Sequence, residues 1–423
     1  MERIKKSKFL KPIIQLTAGS AIAQVITILI SPVSTRLFSS EQLGTYTMIL
    51  TVVSIFGPVL AGRYDMSIVT SKNKEDEVNL ISASFFISIA VTFMVSASYF
   101  VYLIKQKNIL EETGSSIFYL IPILLLMTAV TNILTAYNNK YKEYRLISKV
   151  YVLRNVVQNS SLIIFGFLKL GSLGLICSQV LSVLFGVKEQ SLKLIENKKE
   201  FRLVSLSGMK KILFSEKKQP IFSVPATLLN SSSYSILNFF ITGLFGLNVF
   251  GYYSMSYRIL GLPLTLISTN VSKVFFQQAS EERKIIGNYR KVLIKFTFVL
   301  LFISIPMVIF LMIFSPVIFE FFFGKGWYVS GIYVRILAPM FGIRLVVSSV
   351  AVSLIISQKQ QLELLLQFAF IVLSLVSYFL CKILNLDEYI FFSLISFSYS
   401  LVYLFYYYII YKLSGKESGI LND

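Results

Sequence analysis

Long apolar runs recur along the whole chain and are separated by short clusters of charged residues. A helix needs roughly 20 mostly apolar residues to cross the hydrocarbon core of a bilayer, and twelve stretches approach or exceed that length. The pattern predicts an all-α polytopic membrane protein with spans at 13–35, 43–62, 79–104, 116–138, 150–168, 171–187, 220–243, 248–272, 293–318, 331–357, 361–381 and 388–411.

Polar residues interrupt the first predicted span at spacings of three and four, which places them on one face of a helix. They are Thr17, Ser20, Gln24, Thr27, Ser31 and Ser34. Moving 207 residues along the chain from four of them gives Thr227, Ser231, Tyr234 and Asn238 in the seventh span. In lipid such a stripe must face protein or water. Either the polar groups hold helices together, or the two helices line a polar cavity where Gln24, Ser231, Tyr234 and Asn238 contact substrate.

The same offset relates two longer segments. LFSSEQLGTYTM (37–48) and LFGLNVFGYYSM (244–255) share five identical residues in twelve, at the same place between the first and second helix of each half. Because six spans is an even number, the two halves have the same orientation in the membrane. We therefore predict two pseudo-symmetric six-helix bundles around a central cavity, with an N-terminal lobe at 1–187, a cytoplasmic linker at 188–219 and a C-terminal lobe at 220–423.

Composition agrees with a membrane protein, since 55% of the residues are hydrophobic and only 14% are charged. Lys and Arg divide unevenly between alternate loops: 30 lie on the side of the N-terminus, 6 lie on the opposite side, and four arginines lie within spans. By the positive-inside rule both termini are cytoplasmic. The net charge of +19 then reflects topology, and we expect no nucleic-acid partner.

The linker 188–219 alternates apolar residues with Lys and Arg. Its apolar positions are Leu192, Ile195, Phe201, Leu203 and Leu206. This pattern suits an amphipathic segment on the anionic cytoplasmic leaflet, and a solvated connector that follows the positive-inside rule fits equally well.

The chemistry of the chain argues against an enzyme. It contains no histidine, and its two cysteines, Cys177 and Cys381, both lie in apolar runs, so neither a His site nor a zinc or iron–sulfur cage is expected. The acids of the predicted exterior loops are scattered rather than paired: Glu41, Glu111, Glu112, Glu320, Asp387 and Glu388. We expect a transporter that uses no cofactor.

Charges inside the membrane are costly and mark function by default. Here they are mostly arginines, Arg154, Arg258 and Arg344, with Arg63 at the end of the second span. Deep acids are scarce, and only Asp65 and Glu363, near cytoplasmic helix ends, offer a coupling group or charge partner. Arginine binds phosphate oxygens in a bidentate manner. Arg63, Arg154, Arg258 and Arg344, with so few acids beside them, therefore predict an anionic cargo.

Several segments resemble the polysaccharide-transporter branch of the superfamily that also contains multidrug and toxin extrusion proteins and lipid II flippases. They are GSAIAQVITILISPVSTRLFSSEQLGTY (19–46), GRYDMSIV (62–69), SKVFFQQASEERK (272–284), FFGKGWYVSGIYVRILAPMF (322–341) and SQKQ (357–360). The resemblance implies two six-helix lobes across a cavity and transfer of an undecaprenyl-pyrophosphate-linked oligosaccharide across the bacterial cytoplasmic membrane, for O-antigen or capsule synthesis. It also implies a polysaccharide polymerase and chain-length proteins as partners. A drug-cation antiporter and a lipid II flippase are the alternatives.

Overall fold

The computed structural model describes Gly19 and residues 22–105, 120–359 and 361–415. These residues are helical apart from turns and short connections. By their internal contacts they divide into two compact units, Met1–Ser231 and Ser232–Asp423.

Eight α-helices lie among the described residues of the first unit. They are α1 (Ile22–Leu37), α2 (Ser40–Phe56), α3 (Tyr64–Thr70), α4 (Lys74–Lys105), α5 (Leu120–Lys140), α6 (Tyr144–Phe167), α7 (Gly171–Glu196) and α8 (Leu206–Ser215). Helix α9 (Val224–Pro263) continues into the second unit, which adds α10 (Thr269–Ile286), α11 (Arg290–Phe323), α12 (Tyr328–Val350), α13 (Gln361–Leu384) and α14 (Glu388–Ser414).

Nine helical segments of the described residues are long and apolar enough to cross a membrane. They are Ser40–Val59, Lys74–Tyr102, Leu120–Lys140, Gly171–Glu196, Ser235–Ile286, Arg290–Phe323, Lys325–Ile356, Gln361–Leu384 and Glu388–Ser414. The all-α class is confirmed, and the twelve predicted spans correspond to α1, α2, α4 to α7, the two arms of α9, and α11 to α14. Of these helices, α1 and α6 are not among the nine segments, and both arms of α9 contribute to one of them, Ser235–Ile286. Residues 13–18 of the first span and most of the loop after α4 lie outside the described residues.

Several helix ends differ from the predicted bounds. Helix α4 begins at Lys74, five residues before the predicted start, because Glu75, Asp76 and Glu77 in its first turn interact favourably with the positive end of the helix dipole. Helix α7 continues past residue 187 to Glu196. Helix α12 ends earlier than predicted, at Val350, and a short helix, Ser353–Ile356, follows. A scan for apolar residues finds the membrane core and misses polar turns at helix ends.

The repeat is visible as a pair of helix breaks. The helix is interrupted between α1 and α2 at Ser39, which begins α2 with a capping box. Ser39 Oγ accepts from Gln42 N, and Gln42 Oε1 accepts from Ser39 N. In the second half Gly246 breaks α9, with φ 79° and ψ −179°. The two positions are 207 residues apart, the offset of the sequence repeat. One half therefore breaks its helix with a side-chain cap, and the other with a backbone conformation that only glycine adopts readily.

Small residues hold the helices of the second unit together. Gly331 of α12 lies against the backbone of Ser315 and Pro316 in α11. Ser315 Oγ donates to the Gly331 carbonyl oxygen at 2.8 Å, and Ser304 Oγ donates to that of Gly342 at 2.9 Å. Without a hydrophobic driving force between helices in lipid, such close backbone approach and interhelical hydrogen bonding supply the association.

Candidate functional site

A cavity of about 430 Å³ lies within the first unit, between the end of α2, the turn that follows it, α3 and α5. This volume is within the usual range for ligand pockets. Its polar lining is Ser54, Arg63, Asp65, Thr128, Asn132, Thr135 and Asn139. Of the residues that the sequence singled out, Arg63 and Asp65 are thus brought together.

The turn between α2 and α3 gives Arg63 its position. Gly62 and Arg63 both have left-handed backbone conformations, with φ of 59° and 63°. For glycine this is ordinary, whereas for arginine it costs of order 1 kcal/mol or more. The turn is held by hydrogen bonds from Gly62 N to the Val59 carbonyl oxygen at 2.8 Å and from Tyr64 N to that of Ala61 at 3.1 Å. Strain of this kind concentrates at functional sites.

Two charged groups of the cavity each have one unsatisfied atom. Arg63 Nε and Asp65 Oδ1 are buried and have no hydrogen-bond partner among the described residues. Burial raises the pKa of the Asp65 carboxyl, and the nearby Arg63 guanidinium opposes this by lowering it. Most buried polar atoms in proteins have a partner. A cavity with an unsatisfied donor and an unsatisfied acceptor can bind a ligand that carries both kinds of group.

Helix α5 supplies the amides and hydroxyls. Thr128, Asn132, Thr135 and Asn139 follow one another at spacings of four, three and four, so they share one helix face. Asn132 Nδ2 donates to the Gly57 carbonyl oxygen at 2.9 Å, and Thr135 Oγ1 donates to Gln190 Oε1 at 3.0 Å. This stripe was not among the residues predicted from the sequence, although its spacing is the signal that identified the stripe in the first span.

The polar stripe of α1 faces the protein. Ser31 and Ser34 are buried, and their hydroxyls bond to the carbonyl oxygens of Thr27 and Ser31. Thr27 Oγ1 accepts from Asn155 Nδ2 of α6 at 2.7 Å. Gln24 is half-buried. This part of the stripe therefore joins helices within the first unit, and Gln24 stays a predicted contact of the cargo.

Arg154 lies on α6 and packs across Gly186 of α7, where any side chain would collide with its Cγ and Cδ. It is half-buried. One turn further along α6, Gln158 Nε2 donates to Tyr46 Oη at 2.7 Å, and Tyr46 donates to Gln179 Oε1 at 3.2 Å. Arg154 is thus held beside a hydrogen-bonded polar layer inside the unit.

In the second unit Arg344 is held by aromatic residues. Its Nη1 donates to Tyr257 Oη at 2.8 Å. The guanidinium carbon lies 5.8 Å from the ring centre of Tyr257 and 5.5 Å from that of Phe341, distances typical of cation–π interactions. The side chain is half-buried, and so is Arg258, the residue after Tyr257. The structure therefore holds a permanent cation beside aromatic rings on α9 and α12.

The remaining predicted residues are more dispersed. Ser231 Oγ donates to the Thr227 carbonyl oxygen at 2.8 Å, and Asn238 is half-buried. Tyr234 lies in α9, and its side chain is outside the described part of the structure. Glu363 is exposed near the start of α13. Within the described ranges, no group of three or more acidic or cysteine side chains could hold a metal ion.

Comparisons with known proteins identify a family and a fold. The sequence profile of a family described as polysaccharide biosynthesis protein matches residues 33–331. An inward-facing multidrug resistance MATE transporter of the MOP superfamily has a similar structure, with TM-score 0.62, 12% identity and coverage of 96% of this chain and 98% of that one. A MATE transporter in complex with MaL6 matches with TM-score 0.60, 15% identity and coverage of 96% and 97%.

A third similar structure is a MOP superfamily transporter from Pyrococcus furiosus, with TM-score 0.56, 14% identity and coverage of 96% and 97%. In that protein, reverse polarity of the binding pocket suggests a different function. At these identities the likeness concerns the fold. No curated protein matches this chain.

Proposed function

Because the chain belongs to the polysaccharide biosynthesis protein family and has the fold of MOP superfamily transporters, we propose that it is a flippase for a lipid-linked oligosaccharide. Its cargo is an undecaprenyl-pyrophosphate-linked repeat unit of a surface polysaccharide such as O-antigen or capsule. Alternating access moves the head group from the cytoplasmic to the outer leaflet of the bacterial inner membrane. The protein does this without catalysing a reaction and without a cofactor.

The cavity of the first unit supports this proposal most directly. Arg63 Nε is an unsatisfied donor of a permanent cation, which suits a phosphate oxygen. Asp65 Oδ1, Asn132 and Asn139 supply the acceptors and amides that bind sugar hydroxyls. One cavity thus presents both kinds of group that a phosphorylated saccharide requires.

The arginines of α6, α9 and α12 support the same cargo. Arg154, Arg258 and Arg344 are three further cations that the sequence predicts to lie within spans, and each is half-buried. A cation at that depth costs about 2.5–3.5 kcal/mol on insertion scales, so a chain that keeps several needs a compensating interaction. An anionic head group in transit provides one.

Drug-cation export is the second candidate, because the buried carboxyl of Asp65 could bind a cation. The neighbouring Arg63 opposes it, since its positive charge would repel the same ligand. A lipid II flippase shares the pyrophosphate chemistry and differs in the saccharide. The proposed partners are the cargo itself and the polymerase and chain-length proteins that consume it.

Reconstituted transport tests the proposal. The purified protein is placed in vesicles with a fluorescent polyprenyl-pyrophosphate-linked saccharide, and the fraction that becomes accessible on the other leaflet is measured with time. We expect transfer by the native protein and a loss of about tenfold or more in Arg63→Gln, because a charge-assisted hydrogen bond contributes about 1.5–3 kcal/mol. Arg145→Gln removes an exposed arginine at the start of α6 and is the matched control.

Two further measurements separate the alternatives. A deletion strain should accumulate the undecaprenyl-linked intermediate on the cytoplasmic face, and mass spectrometry identifies its glycan. Vesicles that export a cationic dye and leave the lipid-linked saccharide in place would refute the flippase in favour of the antiporter.

A further inference from the structure

The segment 197–218, called the strap here, follows α7 and contains the short helix Lys198–Leu203 and α8. It belongs to the first unit. Its two sides differ sharply in composition.

The inner side of the strap is held against the rest of the first unit by hydrogen bonds and apolar contacts. Asn79 Oδ1 accepts from Ser205 N at 3.0 Å, and Tyr64 Oη donates to the Leu213 carbonyl oxygen at 3.2 Å. Ile212 and Leu213 pack on a buried apolar cluster of α3, α4 and α5. With hydrogen bonds and apolar contacts along its length, the strap has a fixed rotation about its own axis.

Charges are sorted between the two sides. Both acids of the strap point inward: Glu200 pairs with Lys74 at 3.1 Å, and Glu216 accepts from Ser67 Oγ at 2.9 Å. All seven basic residues of the strap are exposed, namely Lys198, Lys199, Arg202, Lys210, Lys211, Lys217 and Lys218. The outer side is therefore positive without internal compensation.

Large apolar side chains accompany these cations. Leu206 is 75% exposed and Phe214 is 72% exposed. Phe214 lies on the face of α8 opposite Ile212, and Lys217 Nζ is 4.4 Å from its ring centre. Exposed apolar residues set among lysines are typical of helices at the surface of an anionic bilayer.

The position of the strap agrees with the membrane surface. Phe201 lines an apolar cleft of about 290 Å³ together with Phe85 and Phe86 of α4. Phe86 is 61% exposed on a helix long and apolar enough to cross the membrane, so this face of α4 meets lipid. The strap thus lies beside the lipid-facing surface of α4 near the cytoplasmic end that topology predicts.

We propose that the outer face of the strap binds the anionic phospholipids of the adjacent leaflet, with Leu206 and Phe214 at the level of the acyl chains and the lysines at the phosphates. Each lysine or arginine near an anionic surface adds to the attraction. The strap would then anchor the first unit at the leaflet where the positive-inside rule places it.

The test uses the full chain without Cys177 and Cys381 and with one nitroxide label on Phe214→Cys. The protein is reconstituted in phosphatidylcholine vesicles with or without about 30% phosphatidylglycerol. We expect phosphatidylglycerol to lower collisions of the label with a water-soluble nickel complex by about threefold or more and to raise collisions with oxygen. Asn73→Cys, exposed in the turn before α4, is the control and should stay accessible to nickel in both vesicles.

A second variant isolates the charge. Substituting Gln for Lys210, Lys211, Lys217 and Lys218 should abolish the effect of phosphatidylglycerol on the label, while the thermal unfolding temperature stays near that of the parent. Equal nickel accessibility at positions 214 and 73 in phosphatidylglycerol vesicles would overturn the proposal. So would shielding of position 214 that is the same in both vesicles and in the Gln variant.

Discussion

Arg63 and Asp65 are separated by one residue, and their environment depends on a helix that begins more than fifty residues later. The left-handed turn at Gly62 and Arg63 brings the guanidinium to the cavity, and α5 closes the far wall with Asn132 and Asn139. The GRYD motif by itself shows neither the cavity nor the wall that α5 forms. The motif forms a strained turn, and the packing of α5 beside that turn completes the cavity.

Asp65 should make stability depend on pH. Burial raises the pKa of its carboxyl, with Arg63 opposing, so the folded protein keeps the proton at pH values where the unfolded chain has lost it. The contribution of the protonated carboxyl is present below the unfolded pKa of about 3.9 and is lost as pH rises through the folded pKa. Asp65→Asn should therefore gain stability relative to the native protein as pH rises from about 4 to about 7.

Thermal unfolding of both proteins across that range measures the effect. Each unit of upward pKa shift corresponds to about 1.4 kcal/mol at the high-pH end. Glu75→Gln, which removes an exposed carboxyl from the first turn of α4, is the control. A difference between Asp65→Asn and the native protein that does not change with pH would contradict the prediction.

Substitutions of Arg344 distinguish a role in cargo binding from a role in helix packing. If its charge meets the diphosphate, Arg344→Lys should keep partial transport, and Arg344→Gln and Arg344→Glu should lose about tenfold to a hundredfold, the equivalent of about 1.5–3 kcal/mol. Tyr257→Phe removes only the 2.8 Å hydrogen bond and leaves the charge. Transport rates in vesicles distinguish the two roles, and the amount of protein in the membrane and its unfolding temperature are the controls. Equal losses in Tyr257→Phe and Arg344→Gln would assign the arginine to packing.

At the scale of the helix, Gly246 interrupts α9, and Gly243, three residues before it, is the control position. An added Cβ meets no atom within 4 Å at either position. Only Gly246 has a non-helical backbone, with φ 79°. Gly246→Ala should lower the free energy of unfolding by about 1–3 kcal/mol, because alanine is strained there. Gly243→Ala should raise it by about 0.5–1 kcal/mol, because alanine favours a helix interior.

Unfolding in detergent, monitored for both variants, tests the break. If Gly246→Ala is as stable as Gly243→Ala, the two arms of α9 form one continuous helix and the match with Ser39 fails. The repeat would then rest on its identical residues alone.

The polar stripes of α1 and α9 make a prediction about water access. Single cysteines at Gln24 and Ser231, in a protein without Cys177 and Cys381, should react with a hydrophilic maleimide faster than cysteines at Ile26 and Ser233. Ser233 is buried and Ser231 is half-buried, so the second pair already differs in the expected direction. Labelling rates in intact cells measure the difference. Equal rates around each helix would remove the stripes as a sign of a cavity.

At the scale of the whole molecule, the charge bias predicts topology. Reporter fusions in the loop 188–219 and at Asp423 should report the cytoplasm, and fusions near Lys107 and Lys325 the exterior, because loops rich in Lys and Arg stay inside. Lys107 and Asp423 lie outside the residues that the structure describes. An exterior C-terminus would contradict an even number of spans and, with it, the equal orientation of the two halves.

Several features of the protein follow from the sequence by itself. The membrane class, the approximate positions of the apolar helices, the repeat at an offset of 207 and the charge bias of the loops depend on local composition and on position along the chain. Lipid imposes them on each segment separately, because every backbone polar group must be satisfied within its own helix. Residue patterns therefore recover them, with errors at helix ends such as Lys74 and Val350.

Only the tertiary structure decided which side chains meet. The pattern of α5 shows a polar face, and packing against α2 and α3 made that face the wall of a cavity with Arg63. Arg344 was identified as a membrane arginine, and its partner Tyr257 came from a helix 87 residues away. The strap was identified as basic, and its fastening to α3 and α4 determined that the lysines face outward. Burial and partnership depend on which helix faces pack together, and no single segment encodes that choice.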